Sequence, residues 1–286
     1  MIEQLRFVRL PVASLDEARS YLLEIVGLEH AERLNQGARF RSDSRAYSVE
    51  LDASASMSQP TVGVSLRTVE QMELVSELLR KRGWNIEKIP GDLCRSRRYY
   101  AGLACQDLSG NHFELVVRAE DKGRRCFPSR DAGVVGLSQV VIGSRDPTGD
   151  AAVWVDVLGA RITDRVGDAV YIGWDEAHHR IMLVPSSREG FLVVGFEVEN
   201  IDVVMQSSYF FLDRQVGIVR GPGREPASGQ VFLTFNGPSP DVYFSYSTKS
   251  ESYSEERRPR QFAATLGSYC SWGSASALPE LGGTAS

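Results

Sequence analysis

VVIGSRDPTGDAAVWVDVLGAR, Val140 to Arg161, reads as a strand, a short loop, an amphipathic helix and a glycine stop. The same order occurs near the start of the chain in VRLPVASLDEARSYLLEIVGLE, Val8 to Glu29. Leu-Gly or Val-Gly closes each helix, and Gly27 and Gly159 fit the position after a helix where a left-handed backbone costs glycine nothing. A related strand and helix recur in VGVSLRTVEQMELVSELLRKRGW, Val62 to Trp84, and in VGFEVENIDVVMQSSYFFLDRQVG, Val194 to Gly217. Short strand-like segments follow each helix: ARFRSDSRAYSVEL, YAGLACQDLSGNHFELVV, AVYIGWDEAHHRIMLV and QVFLTFNGPSPDVYFSY. Four βαβββ units of roughly 50 to 60 residues therefore emerge.

The units pair into two halves. The expected division is an N-terminal domain over 1–121, a polar, glycine- and base-rich linker over 122–135, a C-terminal domain over 136–248 and an extension over 249–286. From Gly273 the composition is Gly/Ser/Ala-rich, which predicts a disordered end.

With 286 residues, 42% hydrophobic and 24% charged, the chain is long enough to bury two cores. A net charge of −5 and a pI near 5.5 argue against a nucleic-acid partner, which needs a concentrated basic surface. The clusters Arg95 to Arg98 and Arg257 to Arg260 sit among acids and read as solvated faces or ion-pair partners. No apolar run is long enough to span a membrane and no signal peptide precedes the first strand, so a cytoplasmic protein without a membrane partner is expected. Cys94, Cys105, Cys126 and Cys270 lack metal-ligand or disulfide spacing and read as free thiols.

Histidine is scarce: His30, His112, His178 and His179 only. Two of these adjoin in DEAHHRIMLV, Asp175 to Val184, at the mouth of an apolar strand. Strand alternation puts His179 on a face with Ile181 and Leu183 and His178 with Arg180, so His179 is expected to point inward and His178 to be solvated. A histidine pointing inward suits acid/base work, since its ordinary pKa lies near neutrality.

In the order of these features the chain resembles the vicinal oxygen chelate superfamily, and within it the two-domain type I extradiol dioxygenases that cleave catechols and 2,3-dihydroxybiphenyls. The landmarks are the helix ending in VGL, the ARFRSDSRAYSVEL hairpin, RRYYAGLACQDLSGNHFEL, the linker reaching GLSQVV, DEAHHRIML and the closing DVYFSYST, together spanning Leu5 to about Trp272. The resemblance implies an α+β fold of four βαβββ modules in two half-open barrels, with the active-site funnel in the C-terminal half. It also implies a mononuclear metal held by two histidines and a glutamate.

Carried over by position, the three ligand places fall at Ser138, at Val193 (four residues before Glu197) and at Ser245 (before Tyr246). None of these side chains is a metal ligand, and residues 180 to 286 contain no histidine. The expectation is accordingly a protein without iron or any other cofactor. A tyrosine near the family's site falls at Phe235, and a further histidine falls at Glu225 or Pro226. His179 matches the family's acid/base residue. Ser138 and Ser245 read either as filler or as hydrogen-bond donors to a substrate oxygen. With Val193, Phe235, Glu225 and Tyr243 they form the expected substrate-binding set. In the N-terminal half Glu114 is the symmetry counterpart of the lost glutamate, but no further ligands accompany it or His112.

The leading expectation is an enzyme of an aromatic or polyketide-like phenolic molecule, working without a cofactor through His179 by acid/base rearrangement, cyclisation, hydrolysis or direct oxygenation. Two alternatives are a non-catalytic protein that sequesters a small molecule and an Fe(II) dioxygenase with other ligands. A nucleophilic serine is disfavoured, because no G-x-S-x-G elbow surrounds Ser138 or Ser245. A homo-oligomer and a small aromatic ligand are the expected partners.

Overall fold

A computed structural model describes residues 1–54, 59–188, 190–254 and 257–283. The first sheet holds β1 (Ile2–Pro11), β2 (Glu29–Arg33), β3 (Gly37–Arg41), β4 (Val49–Asp52), β5 (Thr61–Leu66), β6 (Asn85–Lys88), β7 (Tyr99–Gln106) and β8 (His112–Ala119), in the order β2-β3-β4-β1-β5-β8-β7-β6. The second holds β9 (Val134–Ser144), β10 (Arg161–Val166), β11 (Ala169–Gly173), β12 (Ile181–Pro185), β13 (Phe191–Val198), β14 (Ile218–Arg224), β15 (Val231–Asn236), β16 (Tyr243–Ser247) and β17 (Arg260–Phe262), in the order β14-β15-β16-β13-β9-β12-β11-β10-β17. In every unit the first strand pairs parallel with the last: β1 with β4, β5 with β8, β9 with β12, β13 with β16. Units join through antiparallel contacts of their first strands, β1 with β5 and β9 with β13. The architecture is the α+β, four-module fold read from the sequence.

Local chemistry sets the helix between the first two strands of each unit. Ser14, Thr68, Asp146 and Asn200 each accept a hydrogen bond from the backbone N–H three residues on, satisfying a donor that the helix cannot. Gly27 and Gly159 lie at φ of +70° and +71°, as the stop signals predict. At Gly27 a Cβ would also come within 2.7 Å of the Ala132 side chain.

The helices bury their apolar faces on one side of each sheet, leaving a concave side. In the first half that side is filled: Phe7, Tyr47, Tyr99 and Val116 pack there, around Arg9 and Glu114. In the second half Val141, Met182, Val184 and Val193 line it, and the extension closes over them with Leu278 and Leu281. These two leucines are buried, where composition predicts a solvated tail, because they face apolar strand residues rather than water. The expected disorder at the extreme end falls on residues 284–286, outside the described residues.

Candidate active site

The concave side of the second sheet narrows to a cavity of about 20 Å³, the size of one water molecule. Its apolar wall comes from Val141, Met182, Val193, Phe232 and Leu281. Its polar wall comes from Gln139, His179, Arg220, Glu225, Thr234 and Ser245, with Gln230 beside them. So many polar side chains around so small a space are unlike ordinary core.

Of the residues singled out in the sequence, His179, Val193, Glu225 and Ser245 line this one cavity. Ser138 is elsewhere, with its hydroxyl donating to the Gly195 carbonyl at 3.0 Å. Gln139 takes the cavity-facing position, two residues from Val141 on the same face of β9. Phe235 likewise points away, 4.2 Å centroid to centroid from Phe211 on the helix side of β15, and Thr234 lines the cavity instead. A one-residue slip along a strand exchanges its faces, so both displacements have one cause. Tyr243 packs partly buried against the cavity's apolar cluster without lining the cavity.

The histidine pair is arranged differently from its reading by alternation. Regular β-structure begins only at Ile181, so the period of two does not extend back to His178. His179 enters the cavity beside Met182, whereas Ile181 and Leu183 face the helix-side core. His178 is not solvated: it is fully buried, with Nε2 2.9 Å from Asp164 Oδ2 and Nδ1 3.0 Å from His179 Nδ1. Tyr171 meets both imidazoles edge-on, 5.5 Å from His178 and 4.9 Å from His179. Its hydroxyl donates to Glu225 Oε1 at 3.0 Å. Burial above all, with Arg180 adding to it and Asp164 opposing, pulls His179 well below the ordinary imidazole range, so His179 is neutral at pH 7.

Asp164 accepts from Arg257 and Arg260 as well, each at 2.7 Å to Oδ2, and from the Arg260 backbone N–H. Burial would raise its pKa, but bonds from His178 and Arg260 outweigh that and bring it down to about 2. Both arginines belong to the extension, and β17 pairs with β10 at this carboxylate.

Arg220 is the residue most at odds with its surroundings. It is buried, its guanidinium lies 3.8 Å from the Phe232 ring centroid, and one nitrogen donates to the Tyr269 carbonyl at 2.7 Å. Among the described residues its Nε has no hydrogen-bond partner and no carboxylate lies within ion-pair distance of it. Burial pulls its pKa down against the opposing charge of Glu225. A cation buried and half satisfied at a cavity wall is a site for an incoming oxyanion. Neither Arg220 nor Asp164 carries a signal that sequence alone distinguishes from a surface charge.

In the first half the corresponding interior is occupied. Glu114, paired with Gly63 as Ser245 is with Gly195, binds Arg9 at 2.8 Å, Arg97 at 2.6 Å and the Tyr99 hydroxyl at 3.0 Å.

Comparisons with known proteins agree with this architecture. Residues 4–115 match the family model described as Glyoxalase/Bleomycin resistance protein/Dioxygenase superfamily. A curated relative, the 3-methylcatechol 2,3-dioxygenase of Pseudomonas putida, is 23% identical over 261 residues, covering 85% of this chain and 88% of its own. Among solved structures, the Mn(II)-bound glyoxalase of Novosphingobium aromaticivorans superposes with a TM-score of 0.87 at 18% identity, over 100% of this chain and 95% of its own. The homoprotocatechuate 2,3-dioxygenase of Arthrobacter globiformis gives 0.84 at 15% identity, over 95% and 88%. The resemblance to the two-domain extradiol dioxygenases holds for the whole fold.

These likenesses overturn the expectation of a protein without a cofactor, since a structure of the same fold over the whole chain carries a bound metal. The residues at the matched positions are nevertheless a poor fit for a divalent cation. Gln139 offers a neutral amide, Val193 no donor atom, and the Ser245 hydroxyl bonds within the sheet to Thr234 and the Leu233 carbonyl. Among the described residues no three His, Cys, Asp or Glu side chains converge as a ligand set.

Proposed function

We propose that the C-terminal cavity belongs to an enzyme of small phenolic aromatics, with His179 as its acid/base group and Arg220 as the cation that holds the substrate oxygen. The observation that carries this reading is the pairing, at one cavity, of a neutral buried imidazole with a buried guanidinium that has no carboxylate within ion-pair distance among the described residues. His179 takes the proton of a phenolic O–H, the electron pair stays on oxygen, and the resulting phenolate meets Arg220. Val193, Val141 and Phe232 supply the apolar wall for the ring.

The test uses 3-methylcatechol, the compound in the relative's name. Wild type is expected to bind and turn it over, and His179→Ala to lose about 10²- to 10⁴-fold in kcat with little change in KM. Equal turnover by His179→Ala would sink the acid/base role. Binding without turnover by wild type would replace the enzyme with a sequestering protein.

A second reading, metal-dependent ring cleavage, is favoured by the comparisons rather than by the matched side chains. It requires Fe(II) or Mn(II) to bind stoichiometrically and to raise the melting temperature of the full chain, and it fails if neither ion does.

A further inference from the structure

His178 and Asp164 lie behind His179, away from the cavity, in a line that ends on a carboxylate clamped by two arginines. We infer that Asp164 and His178 are positioning residues that hold His179 in a single tautomer, with hydrogen on Nδ1 and the Nε2 lone pair facing the cavity. The inference rests on the reading of His179 as the acid/base group and explains how that group is kept in its base form.

The assignment follows from the donor and acceptor inventory. Asp164 is ionised and only accepts, so the hydrogen between it and His178 sits on His178 Nε2. Arg257 and Arg260 already balance the charge of Asp164, so a second hydrogen on the buried His178 would make it an uncompensated cation, and its other nitrogen, Nδ1, is left with only a lone pair. The 3.0 Å contact between the two Nδ1 atoms requires one hydrogen, and it must come from His179. His179 Nε2 is left unprotonated on the side of the cavity that the residue lines. The opposite tautomer would set lone pair against lone pair in a buried space, which costs a desolvated acceptor.

Arg257 and Arg260 decide what Asp164 does. Their hydrogen bonds occupy the carboxylate on both oxygens, so it serves as a fixed acceptor rather than as a proton acceptor. When Nε2 gains a proton from substrate, the Nδ1 hydrogen of His179 can pass to His178 Nδ1 along the same bond, leaving the positive charge on His178 beside Asp164. One N–H bond breaks and one forms, with no other group consumed. The extension thus contributes to the site through residues that never touch substrate.

The tautomer is read directly by ¹⁵N spectra of histidine-labelled full-length protein at neutral pH. With four histidines in the chain, single substitutions assign every imidazole. The expected wild-type spectrum has His179 protonated at Nδ1 and bare at Nε2, and His178 the reverse. His178→Phe removes the acceptor and is expected to move His179 toward the Nε2-protonated form. His178→Asn, whose side-chain oxygen stands near the place of Nδ1, is expected to restore the wild-type form. A wild-type His179 protonated at Nε2 would overturn the inference, as would an unchanged His179 in a folded His178→Phe protein. If that variant does not fold, the wild-type spectrum alone decides. Turnover by His179→Ala separately reports the acid/base reading, so the two failures are distinguishable.

Discussion

At the scale of single residues, Arg220 sets binding against stability. Replacing a buried ion pair with apolar side chains of similar volume is often neutral or stabilising by about 1–4 kcal/mol, and a buried charge without a carboxylate has less attraction to lose. Against this, Arg220→Met orphans the Tyr269 carbonyl, a loss of about 1–3 kcal/mol. The two nearly cancel, so Arg220→Met is expected to keep its melting temperature within a few degrees while affinity for 3-methylcatechol falls by at least about tenfold, the smaller end of a charged hydrogen bond's value. A calorimetric titration beside a thermal melt checks both, and undiminished affinity would remove Arg220 from the site. At this scale the sequence is legible only where a motif fixes the register. Val193 and Ser245 sit in well-anchored strands and land at the cavity, whereas Ser138 and Phe235 are one residue out and face away. Asp164 and Arg220 come to the site from β10 and β14, far from any motif, and only the fold brings them in.

At the scale of elements, the units were legible because the apolar period, the glycine stop and the strand runs agree with one another. The extension was not, because Gly, Ser and Ala dominate its composition and hide Leu278 and Leu281, three residues apart. Its last turn, Pro279–Leu281, packs on β12, with Leu281 at the cavity and Glu280 accepting from Ser186 at 3.1 Å. A space of about 20 Å³ cannot admit an aromatic ring, so a ligand must displace this segment. Short, peripheral segments of this kind open locally at low cost. Leu281→Ala is therefore expected to lower global stability by less than the about 2–5 kcal/mol of a core leucine and to raise the association rate of 3-methylcatechol. Stopped-flow binding measures that rate, and a rate equal to wild type would mean that entry is controlled elsewhere.

At the scale of the molecule, one plan of four units yields two interiors with opposite contents. In the first half Arg9 bridges Glu50 at 2.7 Å and Glu114 at 2.8 Å, and Arg39 takes the second oxygen of Glu50 at 2.7 Å, so that ion pairs fill the concave side. In the second half the equivalent strands surround a space walled by Arg220, which among the described residues has no carboxylate within ion-pair distance. The first interior makes stability depend on acid. Burial pushes the carboxyls of Glu50 and Glu114 up, but the arginines around them outweigh it and hold both below the usual range. A carboxyl whose pKa is depressed by folding adds stability above its unfolded value of about 4.3, and that stability is lost as pH falls through the folded value. Arg9→Met leaves each glutamate short of one partner, which raises the folded values and is expected to cost about 3–5 kcal/mol at pH 7. The acid-unfolding midpoint, followed by tryptophan fluorescence, should therefore move to higher pH in Arg9→Met. Trp84 and Trp154 both pack on Phe113, which neighbours Glu114 in β8 and faces the helix side, so the probe follows unfolding of the sheet that carries these ions. A midpoint that stays in place would show that the buried ions of the first half do not govern acid stability.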